Sequence, residues 1–159
     1  MFFADPIAAF QNLQTALRPG SRLCFLCWQP LAKNEWVEVP LGAAARHVRL
    51  PPPPMPGTPG PFSLGDPDLI REVLGAAGFV DVIIEPHETA LNLGGAKTVD
   101  EAVIFLLEIG PLVAVLRDVE EVVRLRAIEE VRAALHPYAG ADGIQLRSAT
   151  WIVTARPAG

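Results

Sequence analysis

Cysteine is nearly absent. Cys24 and Cys27 are the only two in 159 residues, which excludes a disulfide framework and a cysteine-rich metal site. On a strand, residues three apart face opposite sides, so this pair cannot grip one metal ion. A C-x-x-C redox motif needs an exposed helix start instead. Both cysteines are therefore read as small buried apolar residues. Lysine is just as scarce: Lys33 and Lys97 stand against eleven arginines. With a net charge of -5 the chain has no basic footprint, so nucleic acid is not an expected partner. The three histidines, His47, His87 and His136, have no common spacing and no neighbouring cysteine, so no metal is expected. His87, beside Glu85 and Glu88, reads as a solvated strand end rather than a general base. No G-x-G triplet occurs, and Gly94-Gly95 lacks the spacing of a phosphate-cradling turn. Ser63 and Ser148 lack the setting of a nucleophile elbow. A long apolar run is missing too: residues 102–116 are broken by Glu108, Gly110 and Pro111, too short and interrupted to span a bilayer. The opening MFFADP has neither the basic region nor the apolar core of a signal peptide, so a cytoplasmic protein without a membrane partner is expected.

What is present is apolar. Half of the residues are hydrophobic and 19% are charged, as in a globular chain, and the length suits one domain over residues 1–159. The organising stretch is Ala16–Trp28, ALRPGSRLCFLCW. Arg18 suits the negative end of a helix dipole, Pro19-Gly20 stops the helix, and Leu23–Trp28 follows without a polar residue. Such a run predicts a strand buried on both faces. Before it, Asp5-Pro6 reads as N-cap and first helical position, with Ile7, Phe10, Leu13 and Leu17 on one stripe. After it, a short helix near Trp36–Ala45 is bent by Pro40. Residues 31–61 form a cap segment and a stiff linker, ending in seven prolines within the eleven residues 51–61. Asp66-Pro67 starts another helix, with Leu69, Ile70, Val73, Leu74 and Ala77 as its stripe and Gly78 at its left-handed end. Val80–Glu85 is the next strand, closed by Pro86. Residues 91–143 form a helical insertion: a helix begun by the Thr98/Glu101 capping box, a continuation after Gly110-Pro111, and a third helix over 119–135. Ile144–Ala155 is the last strand, with a break expected near Arg147-Ser148.

Three of these segments together resemble class I S-adenosylmethionine-dependent methyltransferases. LRPGSRL before an apolar strand is similar to that family's fifth-strand region. LGAAGFVDV (Leu74–Val82) is similar to its pattern after the fifth strand, and TWIVTARP (Thr150–Pro157) to its last strand. The order and gaps suit the C-terminal half of the family. The resemblance implies an α/β, Rossmann-like fold seen in part: a three-stranded, largely antiparallel sheet in the order fifth-seventh-sixth, with flanking helices. Ala149–Ala155 would then lie between Leu23–Trp28 and Val80–Glu85.

The resemblance also implies methyl transfer from S-adenosylmethionine to a small-molecule acceptor, and the apolar character of Phe2, Phe3, Trp28 and Trp36 points to a hydrophobic one. Such a transfer mainly requires the nucleophile, methyl carbon and sulfur to be held in line. The family's cofactor-binding features, a Gly-rich turn and an acidic strand end, do not occur in this sequence. The chain is therefore expected to be a fragment that binds no cofactor and is inactive alone, with no catalytic residue of its own. Met1, Phe2 and Phe3, following the family's fourth strand, and Trp28, Asn34 and Trp36, following the fifth, are the candidates for an acceptor pocket; core or cap packing would equally account for Trp28 and Trp36. With no fourth strand present, the edge of Leu23–Trp28 would be bare, and a homodimer through that edge is expected. The alternative function is a non-enzymatic, dimeric ligand- or partner-binding domain derived from a methyltransferase.

Overall fold

A computed structural model of the chain describes residues 1–52, 54 and 58–158. Pro53, Met55, Pro56 and Gly57, where part of the stiff-linker expectation falls, lie outside the described residues. The fold is mixed α/β. Helices α1 (Pro6–Ala16), α2 (Glu35–Ala44), α3 (Pro67–Ala76), α4 (Val99–Glu108), α5 (Pro111–Leu116) and α6 (Glu121–Leu135) accompany strands β1 (Leu23–Trp28), β2 (Phe79–Asn92), β3 (Ala139–Gly140) and β4 (Gly143–Pro157). The strands form one open four-stranded antiparallel sheet in the order β1-β4-β2, with β3 paired to β4. The last strand thus lies between the other two long ones, in the order expected. The chain divides into two compact units. The first comprises Met1–Leu31, Pro54–Glu88 and Ala149–Gly159; the second comprises Ala32–Pro53 and Thr89–Ser148, so the cap segment and the helical insertion fold together.

In the first unit two Asp-Pro starts behave as their chemistry dictates. The Asp5 carboxylate accepts from the Ala8 N–H at 2.9 Å and that of Asp66 from the Asp68 N–H at 2.9 Å, each with proline just inside the helix. Helix α3 ends before Gly78 at φ 85. Its buried Ile70, Val73 and Leu74 join Phe10 of α1 over Cys27, Phe79, Val153 and Ala155 of the sheet. This core covers one sheet face only. In the register Leu26↔Ile152 and Phe25↔Val153, alternate residues belong to opposite faces. Val153 is fully buried, whereas Leu26 is 60% exposed. The expectation of a strand buried on both faces is therefore corrected: α1 and α3 lie on the same side, and no described residue of this unit supplies a second helical layer. The same geometry corrects the cysteine reading, since Cys24 is exposed and Cys27 buried. The α1 stripe is also only partly used: Phe10 is buried, while Ile7 and Leu13 are exposed.

Two strand boundaries differ from expectation. Strand β2 does not stop at Pro86 but continues to Asn92. It is an outer strand, where a residue without an N–H is tolerated on the side facing away from the sheet. Strand β4 runs through Arg147-Ser148 without a break. In the second unit the Arg147 N–H donates to Glu35 Oε2 at 3.1 Å and its guanidinium to Glu35 Oε1 at 2.8 Å, while Ser148 Oγ donates to the Thr89 carbonyl at 3.1 Å. Those polar groups are satisfied in the extended chain, so nothing forces a break.

The second unit packs α2 against α6 and α5, and α4 against α5 and α6, around the buried Val37, Leu106, Leu112, Val131, Leu135 and Leu146. Thr98 caps α4 as expected, its Oγ1 accepting from the Glu101 N–H at 3.2 Å; the Glu101 carboxylate reaches past the cap to the Lys97 N–H at 2.7 Å. Arg46–Glu130 and Arg132–Asp100 pair on the surface at 2.9 and 2.8 Å. Exposed pairs of this kind contribute little to stability.

Candidate functional site

At the C-terminal end of β1 the first unit is held by polar contacts made to backbone. The Gln29 N–H donates to the Ala149 carbonyl at 2.9 Å, and its buried side-chain amide donates to the Thr150 carbonyl at 2.9 Å. The turn over Gly60–Gly65 closes over this end. Its Gly60 N–H and Ser63 Oγ donate to the Met1 carbonyl at 3.1 and 2.7 Å. The Cys27 thiol donates to the Leu64 carbonyl at 3.5 Å, and the Trp151 indole N–H to the Gly65 carbonyl at 2.8 Å. Between this turn and α1 lies an apolar hollow of about 40 Å³ lined by Met1, Phe3, Pro6, Ser63, Leu64 and Leu69.

Of the six candidate residues, Met1 and Phe3 therefore meet at one hollow. Phe3 also stands edge-on to Phe10, ring centroids 6.4 Å apart, while Phe2 is 70% exposed. Trp28 is half-buried at the last position of β1, opposite Thr150. Asn34 and Trp36 belong to the second unit. Both are buried, and the Trp36 indole N–H donates to Asn34 Oδ1 at 3.1 Å. The Trp36 ring lies against Val37, Pro40, Leu106, Ile109 and Leu112 around a gap of only about 10 Å³. Sequence reading set Ser63 aside as a nucleophile and overlooked Leu64, so neither was placed at this hollow. Their signal is the turn-forming segment PGPFSLGDP, which sits between a linker and a helix cap and has no chemistry of its own.

Among the described residues no acid–base pair is assembled at this end. Ser63 Oγ is committed to the Met1 carbonyl, and His47, His87 and His136 are all exposed. Among the described residues no group of three or more His, Cys, Asp or Glu is placed to hold a metal ion. The larger trough, about 480 Å³, lies at the other end of the sheet, against Arg22, Asp81, Ile83, Thr154 and Arg156; it is open to solvent and brings no nucleophile to a base. Among the described residues no helix is long and apolar enough to cross a membrane.

Burial raises the Cys27 thiol from an ordinary 9.0 to about 11. A thiol so placed is not a nucleophile at neutral pH. The folded value lies above the unfolded one, so its contribution to stability is complete below pH 9 and is lost as pH rises through about 11. Thiol labelling at pH 8 is expected to modify exposed Cys24 rapidly and Cys27 at least about a hundredfold more slowly until denaturant is added. Two equally fast thiols in the folded chain would contradict this. Comparison with protein-family models and with curated proteins finds no match to this chain.

Proposed function

We propose that this chain is the acceptor-side part of a class I S-adenosylmethionine-dependent methyltransferase acting on a small apolar molecule. The observation that carries the reading is the sheet order β1-β4-β2, with the final strand antiparallel between its two neighbours and an Asp-Pro-capped helix ahead of each of the outer two. That is the arrangement the LRPG, LGAAGFVDV and TWIVTARP segments imply. Met1 and Phe3, which meet at the hollow of the first unit, are the residues offered to an acceptor. S-adenosylmethionine would be held by a cofactor-binding part with its own Gly-rich turn, which this sequence does not contain.

Two measurements test the reading. Calorimetric titration of this chain with S-adenosylmethionine is expected to give no binding heat at micromolar concentration, and micromolar affinity would show that the division of labour is wrong. The nucleotide sequence ahead of the first codon is expected to encode, in frame, an E-x-G-x-G segment. The protein read from that longer frame is expected to bind the cofactor and to transfer its labelled methyl group to an apolar acceptor. An in-frame stop directly ahead of Met1, with no such segment encoded beside it, would sink the proposal.

A further inference from the structure

One end of the sheet carries charge that the fold itself does not use. Arg22, just ahead of β1, and Arg156, near the end of β4, both line the trough of about 480 Å³. Continued by one residue, the register Leu23↔Ala155 sets these two arginines against each other. The Gln29 N–H to Ala149 carbonyl bond of 2.9 Å marks the odd-numbered residues of β1 as hydrogen-bonded partners of β4. Arg22 and Arg156 therefore fall at the closer type of pair, about 4.5 Å between Cα atoms. Like charges directly opposed on neighbouring strands destabilise a sheet. Both side chains are exposed, and neither makes an ion pair or a side-chain hydrogen bond among the described residues.

Further features meet at the same place. Asp81, the only described residue other than glycine with a positive φ, 53°, kinks β2 where it lines the trough. Aspartate tolerates that conformation better than most residues, and kinks of this kind re-aim side chains beside binding sites. Thr154 adds a hydroxyl with no partner among the described residues, and Ile83, 55% exposed, adds apolar surface. Two arginines against one aspartate leave the trough with a net positive charge inside a chain of net charge -5. This end is not shaped for a covering layer of helices. Such a layer packs on apolar side chains, which Leu26 and Ile152 supply further along the same face. Here the face presents Arg22, Thr154 and Arg156 instead.

We propose that this trough binds a small molecule with an oxyanion head, a carboxylate or a phosphate, on an apolar body. The head lies between the guanidiniums of Arg22 and Arg156, neutralises their facing charges and accepts charge-assisted N–H bonds from both. Thr154 Oγ1 donates a further bond to it, and the apolar body lies along Ile83. Asp81 holds the trough to a single net positive charge, enough for one such head. The site binds and does no chemistry: no bond is made or broken. It stands at the N-terminal end of β1, away from the hollow of Met1 and Phe3, and does not rest on the methyl-transfer reading.

Calorimetric titration of the full chain with octanoate and with octyl phosphate is expected to show saturable binding of at least one of them. The tighter of the two identifies the head. Octanol, which lacks the charge, is expected to bind at least about tenfold more weakly, the difference a charge-assisted head supplies. Inorganic phosphate, which lacks the body, is expected to bind more weakly than octyl phosphate. Arg22→Gln and Arg156→Gln are each expected to weaken the tighter anion at least about tenfold. Their urea midpoints are expected to stay level or rise, since one of two opposed cations is gone; a merely structural role for either arginine would lower them. Arg117→Gln, at an exposed position after α5 in the second unit, is expected to leave binding intact. No binding of either octyl anion at millimolar concentration, octanol binding as tightly as the anions, or arginine variants that bind like the wild type would overturn the proposal. Should the arginine variants fail to fold, the comparison of octanol with the anions on the wild-type chain decides. None of these outcomes bears on the cofactor titration or the upstream sequence, so the two readings fail separately.

Discussion

Replacing Gly143 with alanine is expected to destabilise the second unit by about 3–5 kcal/mol. Gly143 opens β4 at φ 93, a conformation that a side chain strains. A methyl group there would also fall well inside contact distance of the Ala96 carbonyl oxygen, which is backbone and cannot swing away. That carbonyl accepts from the Ile144 N–H at 3.3 Å, and the Asn92 amide donates to the Asp142 carbonyl at 2.6 Å, so the whole corner joins residues 92–96 to 142–144. Relieving the clash means separating these strands of backbone and losing their bonds together. Hydrogen exchange is expected to show lost protection in residues 93–106 and 143–146, with a lower urea midpoint. A midpoint within about 0.5 kcal/mol of the wild type, the usual range for a harmless surface change, would refute the argument.

Local chemistry explains which features of this fold were legible. Asp5-Pro6, Asp66-Pro67 and Thr98/Glu101 each satisfy their own helix N-terminus, so those starts depend on residues a few positions apart and can be read directly. The order β1-β4-β2 is different. Nothing in the apolar pattern of three strands ranks their neighbours, and the order came from the family resemblance. Burial was misjudged in β1 for a related reason. An apolar residue such as Leu26 records that a face suits a nonpolar neighbour, without saying that this chain supplies one. Pro86 and Ser148 were misread as strand breakers because their tolerance depends on distant facts: an outer position in the sheet for the first, and a bond to the Thr89 carbonyl for the second. At the candidate site, aromatic identity pointed to Phe3 and Trp36, but not to the Phe3–Phe10 contact or to the Asn34 carbonyl that fixes the Trp36 ring.

The core of the first unit is expected to be least forgiving at Leu74. Leu74 is fully buried on α3, beneath neither of the exposed helix faces, and belongs to the cluster containing Phe10, Cys27 and Val153. Leu74→Ala removes the apolar contacts and leaves a cavity that this cluster can only partly refill, a loss of about 2–5 kcal/mol. Helix propensity does not contribute to that loss, because alanine is at least as good a helix former as leucine. The proper comparison is Leu13→Ala on α1, where the side chain is 42% exposed and the expected change is within about 0.5 kcal/mol. The contrast tests the one-sided layer itself. If only the sheet-facing side of that layer is packed, the urea midpoint falls sharply for Leu74→Ala and hardly moves for Leu13→Ala. Equal losses at the two positions would mean that the outer face of α1 is covered in solution, and that the layer of helices seen here continues beyond it.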